Sequence, residues 1–176
     1  AMKKKLYLGI FIICLVSFCN RVQAQAFEMD GIYYSVIGAD NTTVEVVSPG
    51  TGVTYEGDIA IPASVFYGGE TYWVTRIGDG AFQVCYNLTS IELPAGLTSI
   101  GKEAFRDCSG LTTIDFPAGL TSIEDEAFLR CGGLTAIELP AGLTSLGESV
   151  FEDCRGLTTM DLPAGLTSLG EYVFSN

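Results

Sequence analysis

Histidine is absent from all 176 residues. That one absence removes Ser-His-Asp and Cys-His nucleophile arrangements, histidine general bases and the commonest nitrogen ligand for zinc. Basic residues are almost as scarce, with nine Lys and Arg against 21 Asp and Glu. Four of the nine (Lys3, Lys4, Lys5 and Arg21) precede Gln25, leaving five to face all 21 acids, a net charge of −16. A chain of that charge repels nucleic acid and anionic membrane, and a partner attracted through charge is cationic or bridged by metal ions. No phosphate-cradling loop exists either, because Gly50, Gly52 and Gly57 have neither the spacing nor the lysine of such a motif.

Long apolar runs are also few. Leu6–Phe18 follows the basic start Lys3-Lys4-Lys5 and precedes the small-residue stretch Val22-Gln23-Ala24. The order basic, apolar, small is that of a cleavable export signal, and the run is too short for a membrane span. Residues 1–24 are therefore assigned as a signal peptide, with the mature chain in an extracellular or surface compartment and no membrane insertion after cleavage. Lipid attachment at Cys14 or Cys19 is disfavoured, since Ile13 and Phe18 precede them where a small residue is needed.

What the sequence has in abundance is itself. Leu88–Gly110 reads LTSIELPAGLTSIGKEAFRDCSG, and Leu111, Leu134 and Leu157 each begin a near copy, which sets a 23-residue period. A fixed period in the range of 20 to 50 residues is the mark of a solenoid, in which each unit buries its apolar side only against its neighbours. Within a coil, Leu88, Ile91, Leu93, Leu97, Ile100, Ala104, Phe105 and Cys108 are expected to point inward. Pro94-Ala95-Gly96 turns a corner, Leu97–Ile100 makes a second short strand, and Glu103-Ala104-Phe105 is expected to form a helical or 3-10 turn. Phe82, Phe105, Phe128, Phe151 and Phe174 stack as an aromatic spine.

Upstream, residues 25–72 lack the repeat and read as a β-hairpin cap. Gly31–Ile37 and Thr43–Val47 flank the turn Gly38-Ala39-Asp40-Asn41, and Asp58–Phe66 and Thr71–Ile77 flank Gly68-Gly69. The repeat register is already visible at Val74–Gly78, Ala81-Phe82 and Cys85, and Ile61-Pro62 stands in for the Leu93-Pro94 corner. Residues 73–176 form the solenoid. The fourth full-register unit breaks off at Phe174-Ser175-Asn176, so the expectation is either a longer array or an open end that meets another molecule, end-to-end self-association included.

The pattern L-x-x-I-x-L-P-x-x-L-x-x-I-G-x-x-A-F-x-x-C resembles the BspA-like leucine-rich repeats of surface and secreted proteins from Bacteroidetes, spirochaetes and some protozoa. The resemblance covers about Ile61 to Asn176, and Phe27–Tyr34 is similar to the lead-in that the family uses in Bacteroidetes. It implies a β-rich solenoid of the leucine-rich-repeat type and adhesion to host matrix proteins, host cells or other bacteria. Two departures stand out: Glu124 replaces the glycine of Gly101, Gly147 and Gly170, and Val150 and Val173 replace the alanine before phenylalanine.

Candidate chemistry is sparse. Cys85, Cys108, Cys131 and Cys154 recur with the same 23-residue spacing. Coils about 4.8 Å apart stretch four sulfurs over roughly 14 Å, and one zinc needs all its ligands at about 2.3 Å. Parallel Cβ vectors disfavour disulfides between coils, which leaves buried free thiols packing as small apolar groups. No metal, cofactor or catalytic residue is assigned, although Glu124-Asp125-Glu126 leaves a carboxylate-dependent hydrolase open as the weakest reading. The Thr98-Ser99, Thr121-Ser122, Thr144-Ser145 and Thr167-Ser168 pairs form a polar ladder with an ordinary β-edge role. Glu92, Asp115, Glu138 and Asp161 occupy one repeat position and are expected to face outward as an acidic stripe. It reads as a docking stripe for a protein or glycan partner, host matrix included, or as a solvated face that keeps a spacer domain soluble.

Overall fold

The computed structural model describes residues 26–50 and 52–175, so the export-signal reading of residues 1–24 lies outside the described residues. Eleven strands follow in order: β1 Phe27–Met29, β2 Ile32–Ile37, β3 Thr43–Val47, β4 Gly57–Ala60, β5 Ser64–Tyr67, β6 Glu70–Ile77, β7 Leu88–Glu92, β8 Ser99–Ile100, β9 Ser122–Ile123, β10 Ser145–Leu146 and β11 Ser168–Leu169. β1, β2 and β3 form an antiparallel meander, with Val36 opposite Val44 across the turn that contains Gly38 and Asn41. β3 then pairs in parallel with β6, and the ladder continues through β8, β9, β10 and β11. One sheet thus runs from the N-terminal strands into the coils, with Ile77, Ile100, Ile123, Leu146 and Leu169 in a single row.

The stretch Asp58–Phe66 does not form one hairpin arm. Its first part, β4, pairs in parallel with β7, and only β5 folds back on β6, with Val65 opposite Tyr72. Ile61-Pro62 separates the two as a corner, which is the role that its register with Leu93-Pro94 gives it. Proline donates no hydrogen bond and so ends the first ladder there.

The core is a continuous column. Seven of the eight inward positions are buried in the first full coil, and Phe82, Phe105, Phe128 and Phe151 are essentially sealed from solvent. Leu93 is only half-buried, as are Phe116 and Leu139 at the same position. Each precedes the corner proline, where the chain turns away from the column. The phenylalanine rings stack nearly parallel at 5.0 Å, 5.0 Å, 5.4 Å and 6.1 Å going down the chain. Tyr55 covers the first ring at 4.7 Å, and its hydroxyl donates to the Val47 carbonyl while accepting from the Tyr33 N–H.

The turn expected to be helical or 3-10 at Glu103-Ala104-Phe105 is neither. No helix occurs among the described residues. In this coil the N–H groups of Ala104, Arg106 and Cys108 donate three residues back, to Gly101, Glu103 and Phe105. The N–H groups of Glu103, Phe105 and Asp107 instead donate forward, to the carbonyls of Asp125, Ala127 and Leu129 in the next coil. A helix directs every amide along its own axis, whereas here every second amide is needed to hold the neighbouring coil. The backbone achieves this with two left-handed residues per coil: Glu103 has φ 53° and Asp107 φ 63°, and Glu126, Arg130, Ser149, Asp153 and Tyr172 repeat the pattern. Such a conformation costs a non-glycine residue on the order of 1 kcal/mol or more. At Val84, φ 58°, the branched side chain makes it worse.

Candidate interaction surface

The four cysteines sit beside the ring stack and are buried free thiols. Cys108, Cys131 and Cys154 donate to the carbonyls of Phe82, Phe105 and Phe128 in the preceding coil, at 3.0 to 3.1 Å. Burial pushes the thiols of Cys131 and Cys154 up, the latter to about 12. Each is thereby committed to a main-chain acceptor as a neutral donor. Among the described residues, no three His, Cys, Asp or Glu side chains are grouped as metal ligands.

The threonine ladder is committed too. The hydroxyls of Thr98, Thr121, Thr144 and Thr167 donate to the carbonyls of Thr75, Thr98, Thr121 and Thr144 at 3.0 to 3.1 Å. Thr98 is exposed and Ser99 half-buried, in line with strand alternation. The ladder therefore stitches successive coils with its donors, and only its methyl groups and lone pairs remain for a ligand.

All five cations of the described chain lie at or beside the turns, and each pairs with acid. Arg76 holds Glu45 at 3.0 Å, Asp79 at 2.8 Å and Glu124 at 2.9 Å. Lys102 holds Asp125 at 2.7 Å, and Arg106 holds Glu126 at 2.7 Å and Glu103 at 3.2 Å. Arg130 and Arg155 approach Asp153. Glu124 is one of the two departures from the repeat, and its carboxylate is what reaches back across two coils to Arg76. Gly101, in the coil between, must stay small, because a Cβ there would run into the Asp79 carboxylate and the Arg76 guanidinium. The Lys102 ammonium holds the Asp125 carboxyl below its ordinary range.

The opposite side of the coil is arranged differently. After β7, the extended stretches that carry the acidic residues are joined across coils only by a Thr113–Ala136 bridge and a Thr135-to-Thr112 amide bond, among the described residues. Glu92, Asp115, Glu138 and Asp161 are all exposed, and no described cation lies within ion-pair distance of them. The structure brings three of the four together. Asp115, Glu138 and Asp161 line an open groove of about 960 Å³, together with the half-buried Phe116, Leu139 and Met160. Glu92 stands outside it, on β7 opposite Ala60 of β4. Phe116 and Leu139 reach this surface although strand alternation alone puts Leu93 and its equivalents inside, whereas Met160 falls at the repeat position of Ile137. The proline that follows each of Leu93, Phe116 and Leu139 is the signal that could have found this exposure.

The repeat of turns, thiols and rings also decides kinship. Residues 75–176 match the model of the BspA type leucine rich repeat region, in six copies. The chain belongs to the BspA-type leucine-rich repeat family. Its structure is similar to the crystal structure of a T. pallidum leucine rich repeat protein, at TM-score 0.73 and 26% identity over 86% of this chain and 67% of that one. It is similar to a Bacteroides ovatus leucine-rich repeat protein at TM-score 0.72 and 32% identity, over 84% of this chain and 38% of that one. A Faecalibacterium prausnitzii protein described as a leucine rich cell surface protein matches at TM-score 0.66 and 27% identity, over 86% of this chain and 46% of that one. The chain thus spans less than half the length of the latter two. No curated protein matches it. As a BspA-type repeat, the chain packs the recurring apolar residues of each coil into the column. No helix of the described residues is long and apolar enough to cross a membrane.

Proposed function

We propose that the protein is an exported, adhesin-like binding module without catalytic activity, which engages a protein or glycan partner through its repeat face. The observation that carries this reading is the groove of about 960 Å³ that crosses three coils on the side where the chain leaves its carboxylates without cations. A repeat array offers extended surface of this kind, and the cell-surface description of the Faecalibacterium prausnitzii protein is in keeping with it. Export rests on the basic, apolar and small-residue order of residues 1–24. In this reading β1–β3, the β5–β6 hairpin and Tyr55 close the N-terminal end of the stack, which would otherwise expose Phe82. A hydrolase reading gains no support from carboxylates that stand exposed in an open row rather than sunk as a pair.

A screen of the protein against immobilised host matrix proteins and glycans, with and without calcium, tests the proposal. The expected result is a saturable partner that is lost when Glu92, Asp115, Glu138 and Asp161 are all neutralised. A chain that binds nothing across the screen would instead be a spacer that positions other segments.

A further inference from the structure

At the N-terminal end, a cavity of about 300 Å³ lies between the β1–β2 turn and the Ile61-Pro62 corner that leads into β5. We propose that this cavity binds a primary ammonium group carried on a short apolar body. It is built from cap residues and not from the coils, so it goes beyond the repeat-face reading and stands or falls apart from it.

Tyr34 singles the cavity out. It lies on β2 opposite Val46, is only 1% exposed, and has its ring set against Phe27 at 5.7 Å. Among the described residues no group hydrogen-bonds its hydroxyl, and no fully enclosed side-chain polar atom is left without a partner. The small part of Tyr34 that stays open is therefore the hydroxyl, and Tyr34 lines the cavity. Burial pushes this hydroxyl above its ordinary range, with Tyr55 and Asp30 adding to the effect, so it stays neutral and offers both a lone pair and a proton. A largely buried hydroxyl without a partner is costly, and a ligand that bonds it recovers part of that cost.

Asp30 sets the sign of the ligand. It is exposed at the β1–β2 turn, lines the same cavity, and has no described cation within ion-pair distance. An anion would meet that carboxylate and the acidic excess of the whole chain. A neutral ligand could satisfy the hydroxyl but would leave the carboxylate unpaired. A metal ion has too few ligands, because no three acidic or sulfur side chains are grouped among the described residues. An ammonium carries three donors and no acceptor. Three oxygen-bearing side chains line the cavity, those of Asp30, Tyr34 and Ser64.

The remaining walls are apolar, with Met29 and Ile32 on one side and Pro62 and Val65 on the other. Small-molecule pockets begin at about 300 Å³, so the apolar body is no larger than a single ring or a short chain. A free amine and a lysine side chain share this chemistry.

The test is an NMR titration at neutral pH with benzylammonium, its neutral isostere benzyl alcohol, the anion benzoate, and lysine blocked at both ends. The expected result is saturable binding of benzylammonium, with shifts at the Ile32 and Ser64 amides, little or no binding of the alcohol, and none of benzoate. Tyr34→Phe keeps the ring and removes only the hydroxyl, and Asp30→Asn keeps a residue that tolerates the left-handed backbone, φ 51°. Each should weaken binding by about tenfold, as for a hydrogen bond to a charged group, whereas Asp161→Asn on the repeat face should leave it unchanged. Blocked lysine that binds too would make a partner's side chain a source of the ammonium, and benzylammonium binding alone would assign the cavity to free amines. No binding of either amine, equal binding of benzyl alcohol, or full affinity in both Tyr34→Phe and Asp30→Asn would overturn the site.

Discussion

On the turn side of the first full coil, every backbone N–H from Gly101 to Cys108 has a partner, alternately in its own coil and in a neighbour, and the Lys102 amide finds the Asp79 carboxylate. On the groove side, a single bridge and one further amide join successive coils beyond β7 among the described residues. Charge divides in the same way among the described residues: the turn side pairs all of its cations, and the groove side has none to pair. One repeat unit thus builds a tightly satisfied edge and an edge with unspent bonding capacity. Repetition therefore need not mean uniformity. Stability is concentrated where rings, thiols and amides interlock, and the other side holds its coils together with far fewer cross-coil bonds.

The largest way to break this comparison is at the ring stack. Phe128→Ala removes a sealed ring held between Phe105 at 5.0 Å and Phe151 at 5.4 Å. It should lower stability by about 3 to 5 kcal/mol in denaturant unfolding. A loss below about 1 kcal/mol, far under the range for a buried aromatic, would show that the column is not where the coils are held together.

Alkali offers a second break. The Cys154 thiol has an ordinary value of 9.0 and is pushed up by burial to about 12, so the unfolded chain releases its proton first as pH rises. Stability from this group is fully present below about pH 9 and declines until about pH 12, with a limiting slope of about 1.4 kcal/mol per pH unit. Tyr55, raised by burial from 10.0 to about 12, adds a similar loss over the upper part of the same window. Cys154→Ala should therefore make the pH dependence of unfolding shallower between 9 and 12, and an unchanged slope would mean that the thiol is open to solvent.

The smallest effect has the opposite sign. Neutralising Asp115, Glu138 and Asp161 together removes repulsion between neighbouring coils, so stability at low salt should rise by a few tenths of a kcal/mol per adjacent pair and the gain should fade at high salt. Arg106→Gln, on the turn side, should instead lower stability by about 0.2 to 1 kcal/mol, as expected for partly exposed ion pairs. Equal signs for the two variants would erase the distinction between the edges.

Much of the column was legible in the sequence, because a strict repeat spacing forces like residues into stacks: the Phe82–Phe174 spine and the cysteine ladder both followed from counting. The turn geometry was not legible. Glu103 and Asp107 adopt left-handed backbones with no glycine to announce them, and the reason lies in a neighbouring coil that needs every second amide. Tyr55 was missed since it belongs to no repeat, and its role depends on the long-range position of Phe82. The Arg76–Glu124 pair had a visible trace in the one coil whose glycine is replaced. The acidic row was legible as a row, but its division into three residues in a groove and Glu92 outside required the corner geometry.

Alternating amides have a mechanical consequence. Because the N–H groups of Glu103, Phe105 and Asp107 reach the next coil while those of Ala104, Arg106 and Cys108 stay in their own, alternate residues on the same turn act as the teeth of a zip fastener. A load that lifts the C-terminal coil away opens one set of teeth and leaves the other shut. Resistance to peeling is then set by a single coil-to-coil junction, and lengthening the array adds extension under load without adding strength.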